Sequence, residues 1–206
     1  MARTNTGEDR DPLDRCYAPN VLAHALLAHW ISLGLIAPGD LVLDAGAGTG
    51  AFEKQGRVLR LQVDAVDLDP VVCAQYGWTE VDFLALPAGR AYKAVLGNPP
   101  FSIAEAFIEQ GLDLAPTVLY LLPHLFLGSA VRHKNGLWRK LSRFDPLVER
   151  AGFTGPGVKP EKQGKGGQTS HAGCAFSIDH KGDFRGRHLS WGGMRAERRY
   201  LKSLNP

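Results

Sequence analysis

The apolar positions of this chain come in short blocks whose period changes along the sequence. From Asn20 to Leu33, Leu22, Leu26, Trp30 and Leu33 recur at helical spacing and make one face of an amphipathic helix. Leu41-Val42-Leu43 is a continuous apolar run of strand length that ends in Asp44. A short helix is expected from Ala51 to about Gly56, then a strand over Leu61 to Val66 and a short helix over Pro70 to Tyr76. A third strand ends at Glu80-Val81-Asp82-Phe83, and residues 91–97 form a fourth. Ile103 to Ala115 reads as a helix with Ile103, Phe107, Gly111 and Leu114 on one face, and Val118 to Leu122 as a fifth strand. Gly128 to Leu141 is a basic helix or loop. Pro146 to Phe153 and Ala172 to Ile178 read as two further strands, the second closing an antiparallel pair across the loop Gly155–Gly173. Strands alternating with helices imply an α/β fold of three layers: a mostly parallel sheet with right-handed crossovers, helices on both faces and a C-terminal antiparallel strand.

At 206 residues the chain is long enough for one domain with a full core. We place that domain at 15–184, after a disordered stretch at 1–14 and before a basic tail at 185–206. Hydrophobic residues at 44% and charged residues at 22% are ordinary for a soluble globular protein. Met1 to Asp14 is polar and no signal peptide, and no apolar run reaches membrane-spanning length. Cys16, Cys73 and Cys174 are odd in number and widely spaced, which argues against a disulfide framework or a zinc site and for a reducing cytoplasm. His24 and His29 read as packing or surface residues, so no metal is expected.

Charge changes the picture more than composition does. The net charge of +3 is unevenly spread. From Ala151 onward there are ten Lys and Arg against four Asp and Glu, whereas the preceding residues carry 14 against 17. Between Leu114 and Phe144 five basic residues stand with no acid. A basic end on a slightly acidic body suits a polyanionic partner. Trp191 to Leu204 reads equally as an amphipathic helix packed on the sheet edge and as a nucleic-acid contact.

The chemistry gathers where strands end. Asp44, Asp67, Asp82 and Asn98 each sit just past the C-terminal end of an expected strand, the edge at which open α/β sheets bind ligands. Asp44 leads into alternating glycines, Gly46, Gly48 and Gly50, which permit a tight turn and close approach of a ligand to the backbone. Read alone, Gly46-x-Gly48-x-x-Ala51 also satisfies the dinucleotide fingerprint. Asp67 has the spacing of the acid that binds ribose hydroxyls. Gly97-Asn98-Pro99-Pro100-Phe101 follows an apolar run and precedes Ser102-Ile103-Ala104-Glu105, which has the form of a capping box. Two prolines fix φ and remove two donors, leaving the Asn98 oxygen and the Pro99 carbonyl as acceptors beside an aromatic ring. Such a loop suits a planar group bearing NH2.

With Asp44-x-Gly46-x-Gly48-x-Gly50, Asp67, Asp82-Phe83 and Asn98-Pro99-Pro100-Phe101 in this order, the chain resembles class I S-adenosylmethionine-dependent amino-methyltransferases. More narrowly it is similar to the small phage and prophage-type DNA adenine N6-methyltransferases, from about Tyr17 to Ile178. The resemblance implies a seven-stranded Rossmann-like methyltransferase sheet and S-adenosyl-L-methionine as cofactor. It places Tyr17, Asp44, Gly46, Gly48, Gly50, Asp67, Asp82, Phe83 and Asn98 around that cofactor and Asn98, Pro99, Pro100 and Phe101 at the reacting amine. Tyr17-Ala18-Pro19 resembles the family's Tyr-Thr-Pro motif, with Ala18 departing. Lys159-Pro160 and Gly164-Lys165-Gly166 resemble its glycine-rich loop, from which Gly167-Gln168 and His171-Ala172 depart. The implied activity is transfer of a methyl group to N6 of adenine in double-stranded DNA, the base being flipped. Arg132, Lys134, Arg139, Lys140, Lys159, Lys162 and Lys165 would hold phosphates. RNA, a protein glutamine and a non-catalytic DNA-binding role on the same fold stay open as alternatives. A nicotinamide dehydrogenase leaves the Asn98 loop unexplained.

Overall fold

The computed structural model describes residues 15–89, 91–158, 162, 164–165, 170–179 and 193–204. The stretch 1–14, Lys159, Pro160, residues 166–168 and Trp191 therefore lie outside the described residues, as does most of the tail before 193.

Helix α1 (Asn20–Ser32) leads into strand β1 (Leu41–Ala45), α2 (Ala51–Val58), β2 (Gln62–Asp67), α3 (Pro70–Tyr76) and the two-residue β3 (Thr79–Glu80). A 3-10 turn at Phe83–Ala85 replaces the end of the expected third strand, because the Asp82 carboxylate accepts from Leu84 N at 2.9 Å and turns the chain. Next come β4 (Ala94–Gly97), α4 (Ala104–Leu114), β5 (Thr117–Pro123), three short helices α5 (His124–Leu127), α6 (Ala130–Lys134) and α7 (Leu137–Lys140), then β6 (Leu141–Pro146), β7 (His171–Ser177) and α8 (Gly193–Leu204).

The sheet order is β3-β2-β1-β4-β5-β7-β6. Strands β3, β2, β1, β4 and β5 are parallel, and β7 runs antiparallel to both of its neighbours. This is the expected α/β sheet with its antiparallel C-terminal strand. The sixth strand is displaced from expectation: it occupies Leu141–Pro146 and stops where Pro146 removes a donor, while Leu147 to Phe153 is irregular.

Alternation along the central strands divides the core. In β5, Val118, Tyr120 and Leu122 pack with α4 residues Phe107 and Ile108 on one face. Leu119 and Leu121 pack with Leu22, Leu26, Leu27 and Trp30 of α1 on the other. Helix α1 is thus anchored by Leu22, Leu26 and Trp30 of the expected face, Leu33 falling past its end, and its histidines make polar contacts: His29 Nε2 lies 3.0 Å from Asp145 Oδ2 and His24 Nδ1 lies 3.1 Å from Gln55 Oε1. Among the described residues no helix is long and apolar enough to cross a membrane.

Candidate active site

Strand order reverses between β1 and β4, so the chain leaves these two neighbours in opposite directions and opens a crevice at their C-terminal ends. A cleft of about 300 Å3 lies there. Its walls include Tyr17, Gly46, Gly48, Asp67, Asp82, Phe83, Asn98 and Pro100. The sequence-expected residues therefore converge, although they come from five separate stretches of chain.

Asp67 is the last residue of β2. Its Oδ2 accepts from Gly48 N at 2.8 Å and its Oδ1 from Asp69 N at 2.9 Å, which fixes the carboxylate against the glycine turn. Asp82 is exposed at the rim. Phe83 is buried, its ring centroid 4.7 Å from that of Phe107. Gly48 has φ of +52°, and a Cβ there would come within 2.8 Å of the Tyr17 ring. The glycine is needed twice, for the backbone conformation and for the tyrosine that lies over it.

Asp44 sits deeper. It is 1% exposed, lines a small recess beside the cleft, and its Oδ2 accepts from Glu53 N at 2.9 Å. Burial pushes its carboxyl up to about 8, an effect opposed by the Glu53 amide and reinforced by the nearby Glu53 and Asp67 carboxylates. A cation entering this recess would favour the ionised form of that carboxyl.

The segment 15–17 forms a strap over the opening. Arg15 Nη1 donates to Asp69 Oδ2 at 2.6 Å, which holds the Asp69 carboxyl below the usual carboxylate range. Tyr17 exchanges two backbone hydrogen bonds with Thr154, at 2.7 and 3.1 Å. Between these anchors, the Cys16 carbonyl accepts from Asn98 Nδ2 at 2.7 Å. The nitrogen of the Asn98 amide is thereby committed, while its Oδ1 is buried without a hydrogen-bond partner among the described residues. A buried acceptor of this kind is costly unless something donates to it.

Several expectations need correction. Gly50 lines neither the cleft nor the recess; it is the N-cap of α2 at φ +76°, with the Trp78 ring against it. Ser102 is not the cap of α4: the cap position is Ile103 with no side-chain bond, and Glu105 turns instead to Asn135 Nδ2 and Arg132. Phe101 is not an open stacking face. It is half-buried, with Phe153 edge-on at 6.0 Å and the His171 ring at 5.6 Å. Pro99 is buried.

The basic residues divide. Arg132 is tied inward, donating to the Phe126 carbonyl at 2.8 Å with its guanidinium 3.9 Å from the Phe126 ring. Lys140 pairs with Glu109. Lys134, Arg139, Lys162 and Lys165 are exposed, and Lys159 lies outside the described residues.

Arg15, Cys16, Ile103 and Phe107 also line the cleft and were not singled out from the sequence as site residues. For Ile103 and Phe107 a signal existed, since both lie on the apolar face of the helix that follows the Asn98 loop. For Arg15 and Cys16 there was none beyond adjacency to Tyr17. The three cysteines form no disulfide. Among the described residues no group of three His, Cys, Asp or Glu side chains is placed to hold a metal ion.

No family model and no curated protein matches the chain. Solved structures do. A candidate RNA methyltransferase from Pyrococcus horikoshii superposes with a TM-score of 0.61 at 18% identity, over 84% of this chain and 92% of that one. The 23S rRNA methyltransferase ErmE gives 0.55 at 16% identity, over 90% and 76%. A modification subunit of a candidate type I restriction enzyme from Vibrio vulnificus gives 0.55 at 12% identity, over 93% of this chain and 53% of the subunit. At these identities the likeness establishes the fold, a Rossmann-like α/β sheet shared with proteins described as methyltransferases.

Proposed function

We propose that the chain is an S-adenosylmethionine-dependent methyltransferase that methylates the exocyclic N6 amine of adenine in DNA. The observation that carries this reading is the Asn98 amide, with its nitrogen held by the Cys16 carbonyl and its buried oxygen left to accept. The cleft beside it fits the cofactor by its chemistry. Asp67 stands at the end of β2 for a ribose, Asp82 and Phe83 flank a planar ring, and the buried Asp44 suits an ammonium. When bound, the cofactor supplies a methyl group already activated as a sulfonium.

The chain's own work is then positioning and charge stabilisation. The lone pair of an aromatic amine is delocalised into its ring. Asn98 Oδ1 would accept one N–H and the Pro99 carbonyl the other, which favours a tetrahedral nitrogen and localises that pair. The same two acceptors draw toward the positive charge that the nitrogen gains during attack. Asn98 serves as acceptor and not as base, so the surplus proton leaves to water. A flipped base would meet only the exposed part of Phe101, beside Phe153 and His171. Exposed Lys134, Arg139, Lys162 and Lys165, with Lys159, would contact phosphates.

RNA is the second reading, favoured by the two structural neighbours described as RNA methyltransferases. Incubation with labelled cofactor and separate DNA, RNA and protein substrates, followed by nucleoside and amino-acid analysis, tests both. N6-methyladenine in DNA is the expected product. N4-methylcytosine would keep the mechanism and change the base, and label confined to RNA or to glutamine would change the substrate class.

A further inference from the structure

Helix α8 has one acid, and it is not on the surface. Glu197 is buried, and its carboxylate accepts from Asn20 N at 2.9 Å and Val21 N at 2.6 Å at the start of α1. Tyr200 OH receives a hydrogen bond from Gln55 Nε2 of α2 at 2.9 Å. These two residues define the face by which α8 docks. Arg195, Arg198, Arg199 and Lys202 stand on the other side, all exposed. Their spacing of three, four and seven residues confines them to an arc of about 100°.

We infer that this stripe is a docking surface for the phosphate backbone of duplex DNA, an inference that rests on the nucleic-acid reading proposed above. Charge is the first argument: four cations stand together on the exposed face while the helix's only acid is buried against α1. Position is the second. Glu197 fastens α8 to the first residues of α1, and Tyr17, three residues earlier, lines the cleft. The stripe is therefore held at the end of the sheet where the cleft opens. Length is the third. Arg195 to Lys202 spans about 10 Å of helix, the axial length of about three nucleotides of one strand. The helices after β5 offer fewer free cations, Lys134 and Arg139, since Arg132 is turned inward and Lys140 is paired.

The test uses the full chain and a short fluorescent duplex of mixed sequence, titrated between about 50 and 200 mM salt. Replacing all four by glutamine (Arg195→Gln, Arg198→Gln, Arg199→Gln, Lys202→Gln) should lower the slope of log affinity against log salt by about 2 to 3, at about 0.9 per duplex phosphate neutralised. A second variant, Arg195→Lys, Arg198→Lys and Arg199→Lys, should keep the slope, because phosphate contact needs the charge and not the guanidinium. S-adenosylmethionine affinity should be unchanged in both, which shows that each is folded. A wild-type slope in the glutamine variant, from a protein that methylates the duplex, overturns the docking surface and leaves the proposed function standing. Loss of affinity for single-stranded RNA with duplex binding intact overturns the choice of duplex. A wild-type protein without salt-dependent affinity for any nucleic acid overturns the function on which the inference rests.

Discussion

Asn98 has one nitrogen and one oxygen to place, and the backbone of Cys16 decides the matter by accepting from the nitrogen at 2.7 Å. Asn98→Ala should therefore lower kcat by about 100-fold or more while leaving the cofactor Kd within a few-fold, because the lost acceptor acts on the reacting amine. Asn98→Asp restores an acceptor but sets a second one against the Cys16 carbonyl. Its activity should be lower than wild type and its pH profile shifted to the acid side, where a protonated carboxyl can donate to Cys16; steady-state kinetics across pH reads this directly. Asp44 supplies a different pH effect. Its folded-state pKa, about 8, lies above the unfolded value, so the stability it contributes is full below about pH 4 and is lost as pH rises through about 8. Thermal melts from pH 6 to 9 should show the wild-type Tm falling more steeply than that of Asp44→Asn, which cannot ionise. Parallel slopes would mean the buried carboxyl is not the group that titrates. The residues of the cleft were legible because strand ends and glycine turns mark it. What the sequence could not display was the state of each: that Asp44 would be buried, that Phe101 would be enclosed by Phe153 and His171, or that Gly50 would serve the turn alone.

Elements were legible where punctuation and period agree. Helix α3 has Asp69 as an N-cap accepting from Val71 N at 2.9 Å, Pro70 at its first position and Gly77 at its end, and it was read to the residue. Strand β6 failed because Leu141-Ser-Arg-Phe-Asp-Pro has no clean alternation, whereas the stretch after it, Leu147 to Phe153, mixes apolar and charged residues and forms no strand. Helix α1 is instructive for another reason. Its N-cap is Pro19, which offers no side-chain acceptor, and the deficit is met from α8 by Glu197. No local pattern could announce a cap supplied 177 residues away. Glu197→Ala should cost about 1 to 2 kcal/mol by loss of the cap, seen as a Tm lower by about 2 to 8 °C. An unchanged melt would show that α8 leans on α1 without holding it.

For the molecule as a whole, the βα alternation carried the fold class and the parallel core, since buried strands announce themselves by continuous apolar runs. The order of the last strands had no signature. Strand β7 enters between β5 and β6, and it pairs Thr117 to Pro123 on one side and Leu141 to Pro146 on the other. This insertion sets a timetable for folding. Among the described residues strand β6 pairs with β7 alone, so it joins the sheet once residues 171–177 have arrived. The strap closes by pairing Tyr17 with Thr154, in the segment that links those two strands. The first described residues thus wait for almost the last strand, and such distant pairings are slow to form. Pulsed hydrogen exchange during refolding should protect the amides of Val42–Ala45 and Val95–Leu96 before those of Arg143 and Phe144. The lip of the cleft would then be set later than its floor, and a chain that has not yet reached Thr154 would carry the glycine turn and Asn98 without Tyr17 fastened across the opening.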